Sequence, residues 1–269
     1  MAFVNHAGAR IHWQALGKGE PLVLLMGLGC SSAMWFRLAP RLAKHYRVIL
    51  MDNRGAGQTT VENYVVHRVP VMASDVAAVL DAAGADRAHV LGISMGGMIA
   101  QEFALNHPER VRSLVLAATN CGGPYATLAQ PKVWSLLFSK GARTPEENLH
   151  AMRPYTFARK TPQQVIEEDY VVRLASYPVL RGYQAQLYGL MGWSSYSRLP
   201  DIACRTLVLH GEEDQLIPPA NGRLLAQRIP DAQLVELANA SHWIPSDQLD
   251  ETFNAVRSFL GKPLPARVS

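Results

Sequence analysis

Six short runs of continuous apolar residues punctuate the chain: "PLVLLMG" (21–27), "YRVILMD" (46–52), "AHVLGIS" (88–94), "VRSLVLAAT" (111–119), "RTLVLHG" (205–211) and "AQLVELAN" (232–239). A strand with one wet face alternates apolar and polar residues, whereas a strand covered on both faces has no such need. Runs of this kind, separated by longer amphipathic segments, predict an α/β fold in which helices flank a mostly parallel sheet. Between the runs, "SDVAAVLDAAG" gathers Val76, Val79, Leu80 and Ala83 on one helical face. In the same way "MIAQEFALNHP" gathers Ile99, Phe103 and Ala104 before Pro108 stops the helix. Ahead of the first run, "GARIHWQALGKGEPLVLL" predicts an antiparallel hairpin turning at Gly17 and Gly19.

One connection breaks the rhythm. About 85 residues separate Thr119 from Arg205 with no clear strand, far beyond an ordinary connection in such units. The segment carries helix signals instead. In "TPEENLHAM" and "TPQQVIEEDYVVRLASY", Thr144 and Thr161 are N-cap candidates, each followed by proline at the first helical position. The economical reading is a helical insertion at the carboxyl ends of the strands, where open α/β sheets bind ligands. It divides the chain into a core domain, residues 1–120 and 201–269, and a helical cap, residues 121–200.

Composition narrows the partners. In 269 residues, 48% are hydrophobic and 18% charged, which suits a globular protein with a sizeable core. The net charge of +4 is mild and scattered, so no basic arm for nucleic acid and no polybasic membrane segment is expected. The start, "MAFVNHAGARIHWQALGKGE", lacks the pattern of a secretory signal, and no apolar run approaches the roughly 18 residues of a membrane span. Cys30, Cys121 and Cys204 are widely spaced and form no metal-ligand pattern, as buried thiols in a reducing compartment would be. The expected location is cytoplasmic.

The chemistry centres on Gly92-Ile93-Ser94-Met95-Gly96, which follows a predicted strand and opens a predicted helix. That is the context in which G-x-S-x-G means a nucleophile elbow rather than a glycine-rich turn. A tight strand-to-helix turn forces the serine into an unfavourable backbone region, and glycines on either side prevent clashes there. A serine hydroxyl attacks only when a base takes its proton. Of nine histidines, His242 is the candidate, because it lies between the last predicted strand and the final helix, at the sheet edge that carries Ser94. His210 ends a strand and is expected to pack within the sheet end. The base needs an orienting carboxylate, and "HGEEDQLIPP" offers Glu212, Glu213 and Asp214. Asp214, deepest in the loop, is the choice and Glu213 the fallback. The order Ser94, Asp214, His242 is that of α/β-hydrolases. An oxyanion hole needs two backbone N–H donors. Met95, after the nucleophile, supplies one; Leu28, between Gly27 and Gly29 in the loop after the first parallel strand, supplies the other.

The glycine loop has a rival meaning. Gly27-x-Gly29 with Asp52 23 residues beyond Gly29 imitates a dinucleotide-binding fingerprint, but Ser32 stands where the third glycine belongs. That reading also leaves Ser94, Asp214 and His242 unexplained.

Over essentially its full length the chain resembles the α/β-hydrolase superfamily, through "LLMGLG", "ILMDNRGAGQT", "VLGISMGGMIAQEFALNHPERVRSLVL", "LVLHGEEDQLIP" and "ASHWIPSDQLDETFNAVRSFL". Within it, the short cap and the surroundings of Ser94 look like small carboxylesterases and 3-oxoadipate enol-lactonases. The resemblance implies an eight-stranded, mostly parallel sheet with a helical cap, no metal and no cofactor. It departs from the pattern at Met26-Gly27, where many members carry His-Gly, so the oxyanion loop must be braced differently. In "DNRGAGQT" the family pattern makes Asp52 and Arg54 structural. Dehalogenases and epoxide hydrolases of this fold need a carboxylate at position 94, and perhydrolases usually carry a proline in the oxyanion loop. Carbon–carbon bond hydrolases share the serine triad.

The expected function is therefore hydrolysis of a small or medium carboxylic ester through an acyl-enzyme, with lactone or carbon–carbon bond cleavage as alternatives. A non-catalytic ligand-binding protein of the same fold is the alternative of another class. The expected partner is a small-molecule ester or lactone. Trp134 and Trp193, among many cap aromatics, are the candidate pocket walls.

Overall fold

The six apolar runs are six parallel strands in one sheet. The computed structural model describes residues 2–261. The strands are β1 (Ala2–His6), β2 (Ala9–Leu16), β3 (Pro21–Leu25), β4 (Arg47–Met51), β5 (Thr60–Val61), β6 (Ala88–Ile93), β7 (Val111–Ala117), β8 (Thr206–Gly211) and β9 (Ala232–Leu237). The path across the sheet is β1-β2-β4-β3-β6-β7-β8-β9, with the two-residue β5 paired to β2. Pairings from β4 to β9 along that path are parallel, while β1–β2, β2–β4 and β2–β5 are antiparallel. The eight expected strands are thus the path, and β5 is an added edge fragment.

Burial on both faces explains the unbroken hydrophobicity. Along β3, Leu22 and Leu24 enter one core and Val23 and Leu25 the other; Val48 and Leu50 on β4 oppose Ile49 and Met51 in the same way. The helices are α1 (Ala39–Leu42), α2 (Val69–Ala82), α3 (Met95–Asn106), α4 (Pro131–Phe138), α5 (Pro145–Thr156), α6 (Gln163–Ala175), α7 (Leu180–Leu190), α8 (Ala220–Arg228), α9 (Ile244–Asp247) and α10 (Leu249–Leu260). Val76, Val79 and Leu80 of α2 and Ile99 and Phe103 of α3 fill the first core; Val256 and Phe259 of α10 help fill the second. Among the six parallel strands only β9, at the sheet edge, has an exposed residue, Gln233, and it carries a half-buried Glu236 beside its apolar residues.

Two local expectations need correction. The first hairpin joins β1 to β2 at Ala7-Gly8, with φ of 43° and 71°, and β2 then pairs with β4 rather than β3. Two successive positive φ values make the tight turn that suits paired strands. Gly17 and Gly19 serve the crossover from β2 to β3, and a side chain at Gly17 would lie 2.1 Å from the Ala43 carbonyl. Thr144 caps α5 with a full capping box closed by Glu147, but Thr161 does not cap α6. Its hydroxyl donates to Asp247 instead. The stretch between β7 and β8 carries α4 to α7 and, apart from one antiparallel bridge between Gly122 and Ser194, no strand pairing among the described residues. Among the described residues, no helix is long and apolar enough to cross a membrane.

Candidate active site

Ser94 sits between β6 and α3 with φ 57° and ψ −123°, a conformation that L-residues avoid. The neighbouring glycines are sterically required. A Cβ on Gly92 would lie 2.1 Å from the Gly96 carbonyl oxygen, and one on Gly96 2.1 Å from that of Leu25. A serine at this position would ordinarily cap the helix with its hydroxyl. Here the main chain does that work: the Ser94 carbonyl accepts from the N–H of Gly97 (2.8 Å), the N–H of Met98 (3.2 Å) and the Thr119 hydroxyl (2.7 Å). The side-chain hydroxyl makes no cap bond and lines a cavity.

His242 lines the same cavity, on the loop between β9 and α9. Its Nδ1–H donates to Asp214 Oδ2 at 2.9 Å, and both residues are almost fully buried. That bond fixes the tautomer and leaves Nε2 as the basic nitrogen. Asp214, on the loop after β8, is itself held: its Oδ1 accepts the N–H groups of Leu216 (2.9 Å) and Ile217 (2.8 Å). The fallback Glu213 is used elsewhere, accepting from the Arg159 backbone N–H at 3.0 Å and from its guanidinium. His210 packs into the sheet end as expected, donating to the Ile217 carbonyl at 2.8 Å, and burial pushes its imidazole pKa down.

The oxyanion candidates lie beside Ser94. A Cβ on Gly27 would be 3.1 Å from Ser94 Cβ, so the loop presses directly on the serine. Among the described residues, no hydrogen bond takes up the N–H of Leu28 or of Met95. The bracing that a His-Gly pair would give comes from two amide side chains. Asn53 Nδ2 donates to the Met26 carbonyl at 2.8 Å, and Gln186 Oε1 accepts the Gly29 N–H at 2.7 Å while its Nε2 donates to the Arg54 carbonyl at 2.8 Å. Asp52 spends both oxygens inside the core, on the N–H groups of Ser32 (2.7 Å) and Gln58 (2.8 Å) and on His12 Nδ1 (3.0 Å). The dinucleotide reading therefore has no acidic residue free for a ribose. Arg54 is fully engaged with Asp75.

The cavity encloses about 490 Å³ and is walled by Gly27, Leu28, Ser94, Met95 and His242 on the sheet side and by α4 to α7 on the other. Trp134 lines it, with Phe157, Tyr170, Tyr177 and Tyr183. Trp193 does not. It is buried beside α3, where its indole N–H donates to Glu102 Oε2 at 2.8 Å, because a buried indole needs an acceptor. Arg198 pairs with the same carboxylate, which holds its pKa below the usual range despite burial. Gln186, Lys140, Arg173 and Trp243 are site residues that no local pattern marks. Among the described residues, no group of three or more His, Cys, Asp or Glu is placed to hold a metal ion.

A family model for the alpha/beta hydrolase fold matches residues 20–248. The chain belongs to the α/β-hydrolase family. This α/β hydrolase is 34% identical over 217 residues to a poly(3-hydroxyalkanoate) depolymerase of Ectopseudomonas oleovorans, covering 80% of this chain and 75% of that one. It is 31% identical over 262 residues to a 2-hydroxy-6-oxo-6-phenylhexa-2,4-dienoate hydrolase of Burkholderia cepacia, covering 93% and 91% of the two chains. An enol-lactonase from Burkholderia xenovorans superposes with a TM-score of 0.85 at 26% identity, covering 97% of this chain and all of that one.

Proposed function

We propose that this α/β hydrolase is a serine hydrolase cleaving small or medium carboxylic esters, with Ser94, His242 and Asp214 as its catalytic triad. The observation that carries the reading is the strained Ser94, whose hydroxyl is released from helix capping into a cavity shared with an Asp214-held imidazole. His242 Nε2 takes the Ser94 proton as Oγ attacks the carbonyl carbon. The developing oxyanion accepts the N–H groups of Leu28 and Met95, donors that are each worth about 100- to 1,000-fold in turnover. His242 then protonates the leaving alcohol and activates a water that releases the acid from the acyl-enzyme. Asp214 stays ionised and stabilises the imidazolium. Residues 121–200 act as a cap over a core of residues 1–120 and 201–269, and substrate binds between them.

The likeness to an enol-lactonase supports a lactone as a cyclic case of the same chemistry, and the dienoate hydrolase relative favours carbon–carbon cleavage by the same residues as the second reading. Hydrolysis of p-nitrophenyl esters from acetate to decanoate, beside Ser94→Ala, tests the proposal. Turnover by the wild type that Ser94→Ala loses is the expected result. Turnover retained in Ser94→Ala would overturn the assignment, and absence of turnover on esters and lactones would leave carbon–carbon substrates or a binding protein.

A further inference from the structure

The cavity holds two cations, and among the described residues its lining carboxylate, Asp169, forms an ion pair with neither. Lys140, in the turn after α4, and Arg173, on α6, both line it. Among the described residues, no Asp or Glu lies within ion-pair distance of either side chain. The acidic residue on the same wall, Asp169, is bonded to Arg37 Nε at 2.9 Å and to the Ser246 hydroxyl. Lys140 Nζ rests instead on two aromatic faces, 4.5 Å from the Tyr177 ring centre and 4.1 Å from that of Tyr183. Arg173 places its guanidinium 5.3 Å from the ring centre of Trp243, next to His242, and its buried Nε has no hydrogen-bond partner among the described residues.

We infer that Lys140, reinforced by Arg173, is an anion-recognition point in the substrate cavity, so that the preferred ester carries a carboxylate. This inference rests on the serine hydrolase reading and names the substrate class for it. Position supports it: Tyr183, under the Lys140 ammonium, is the side chain that a Cβ on Gly29 would strike at 2.7 Å, so the cation stands on the cap side of the oxyanion loop. An aromatic face attracts a cation and neutralises none of its charge. An entering carboxylate would do both jobs, and in a desolvated cavity a charge-assisted bond is about twice as strong as a neutral one. The charge balance agrees. Burial, and then the neighbouring positive charge of Arg173, bring the Lys140 pKa down to about 7, a penalty that a bound carboxylate relieves. The other titratable groups facing Lys140 are Tyr177, Tyr183 and Cys30, and burial pushes both phenols up, so neither supplies an anion near neutral pH.

Two measurements test this separately from the reading beneath it. Calorimetric titration of glutarate into Ser94→Ala needs no turnover. Saturable binding at pH 6.5 is expected, at least tenfold weaker at pH 8.5 and at least tenfold weaker with Lys140→Met added, and absent for neutral glutaramide. For turnover, the ratio of kcat/KM for mono-p-nitrophenyl glutarate over p-nitrophenyl pentanoate is expected to fall at least tenfold in Lys140→Met, mainly through KM, and to recover in Lys140→Arg. Glutarate that does not bind, or binds no better than glutaramide, overturns the inference. So does an equal loss on both esters in Lys140→Met, which would make the lysine a packing residue. Should no ester be turned over by the wild type, the ester reading fails alone, and glutarate binding still decides the role of Lys140.

Discussion

At the scale of single residues, Ser94 carries a backbone conformation that costs of the order of 1–3 kcal/mol, and it gains no capping bond in return. Such strain persists only where surrounding structure enforces it, here the fits of Gly92 and Gly96 against main-chain carbonyls. If Ser94 is the nucleophile, Ser94→Ala lowers kcat by about 10⁴- to 10⁶-fold with KM little changed. Asp214→Asn should cost about 10⁴-fold, because Nδ1 loses the carboxylate that fixes its proton, whereas Glu213→Gln should stay within about twofold. Steady-state kinetics on one ester separates these outcomes, and equal effects at 213 and 214 would contradict the assignment. The positions of Ser94, Asp214 and His242 are legible in sequence because each follows a strand and carries its own local signal. Gln186 and Lys140 are not. Gln186 meets Gly29 across 157 positions, and nothing in its own neighbourhood marks that contact.

Among elements, the elbow depends on α3 pressing against β6 and β3. A methyl at position 96 would overlap the Leu25 carbonyl, so Gly96→Ala should lose ester turnover together with several degrees of Tm, since one element holds both. The two tryptophans part company here. Trp134→Ala enlarges the cavity and should shift the ester chain-length optimum upward. Trp193→Phe removes an indole bonded to buried Glu102 and should lower Tm without moving that optimum. A chain-length profile and a melting curve for each variant check the pair. The misplaced first hairpin has a related cause: its turn puts a positive φ on Ala7, an alanine where such turns prefer Asn, Asp or Gly. Trp193 escaped for the opposite reason, because an aromatic near a cap looks alike whether it faces substrate or an acidic partner on α3. The parallel strands are readable throughout, since two-sided burial is written into five of the six runs and the edge strand β9 keeps enough apolar residues to read as a strand.

Across the whole molecule, the helical segment is tied to the His242 loop. The Trp243 N–H donates to the Thr156 carbonyl at 2.8 Å. Asp247 accepts from the N–H groups of Ala158 (3.2 Å) and Ser241 (2.7 Å) and from the Thr161 hydroxyl. Burial, with the negative charge of Asp169 adding to it, raises the Asp247 pKa to about 6. A carboxyl raised in the folded state stabilises fully below its unfolded value, near 4, and that contribution disappears as pH climbs through 6. His67, on the core side, runs the other way. Burial lowers its pKa to about 4, so its contribution is present above about 6.5 and lost as pH falls toward 4. Asp247→Asn should therefore gain stability relative to wild type as pH rises from 4 to 7, and His67→Phe should remove part of the acid-side loss. Melting temperatures across that range test both signs. The central claim is that Ser94 is the reacting group, and the most direct measurement is peptide mapping by mass spectrometry after treatment with a fluorophosphonate. One phosphonate on the peptide containing Ser94, slowed strongly in His242→Ala and absent in Ser94→Ala, is the predicted result. An unlabelled protein, or a label on any other residue, would contradict it.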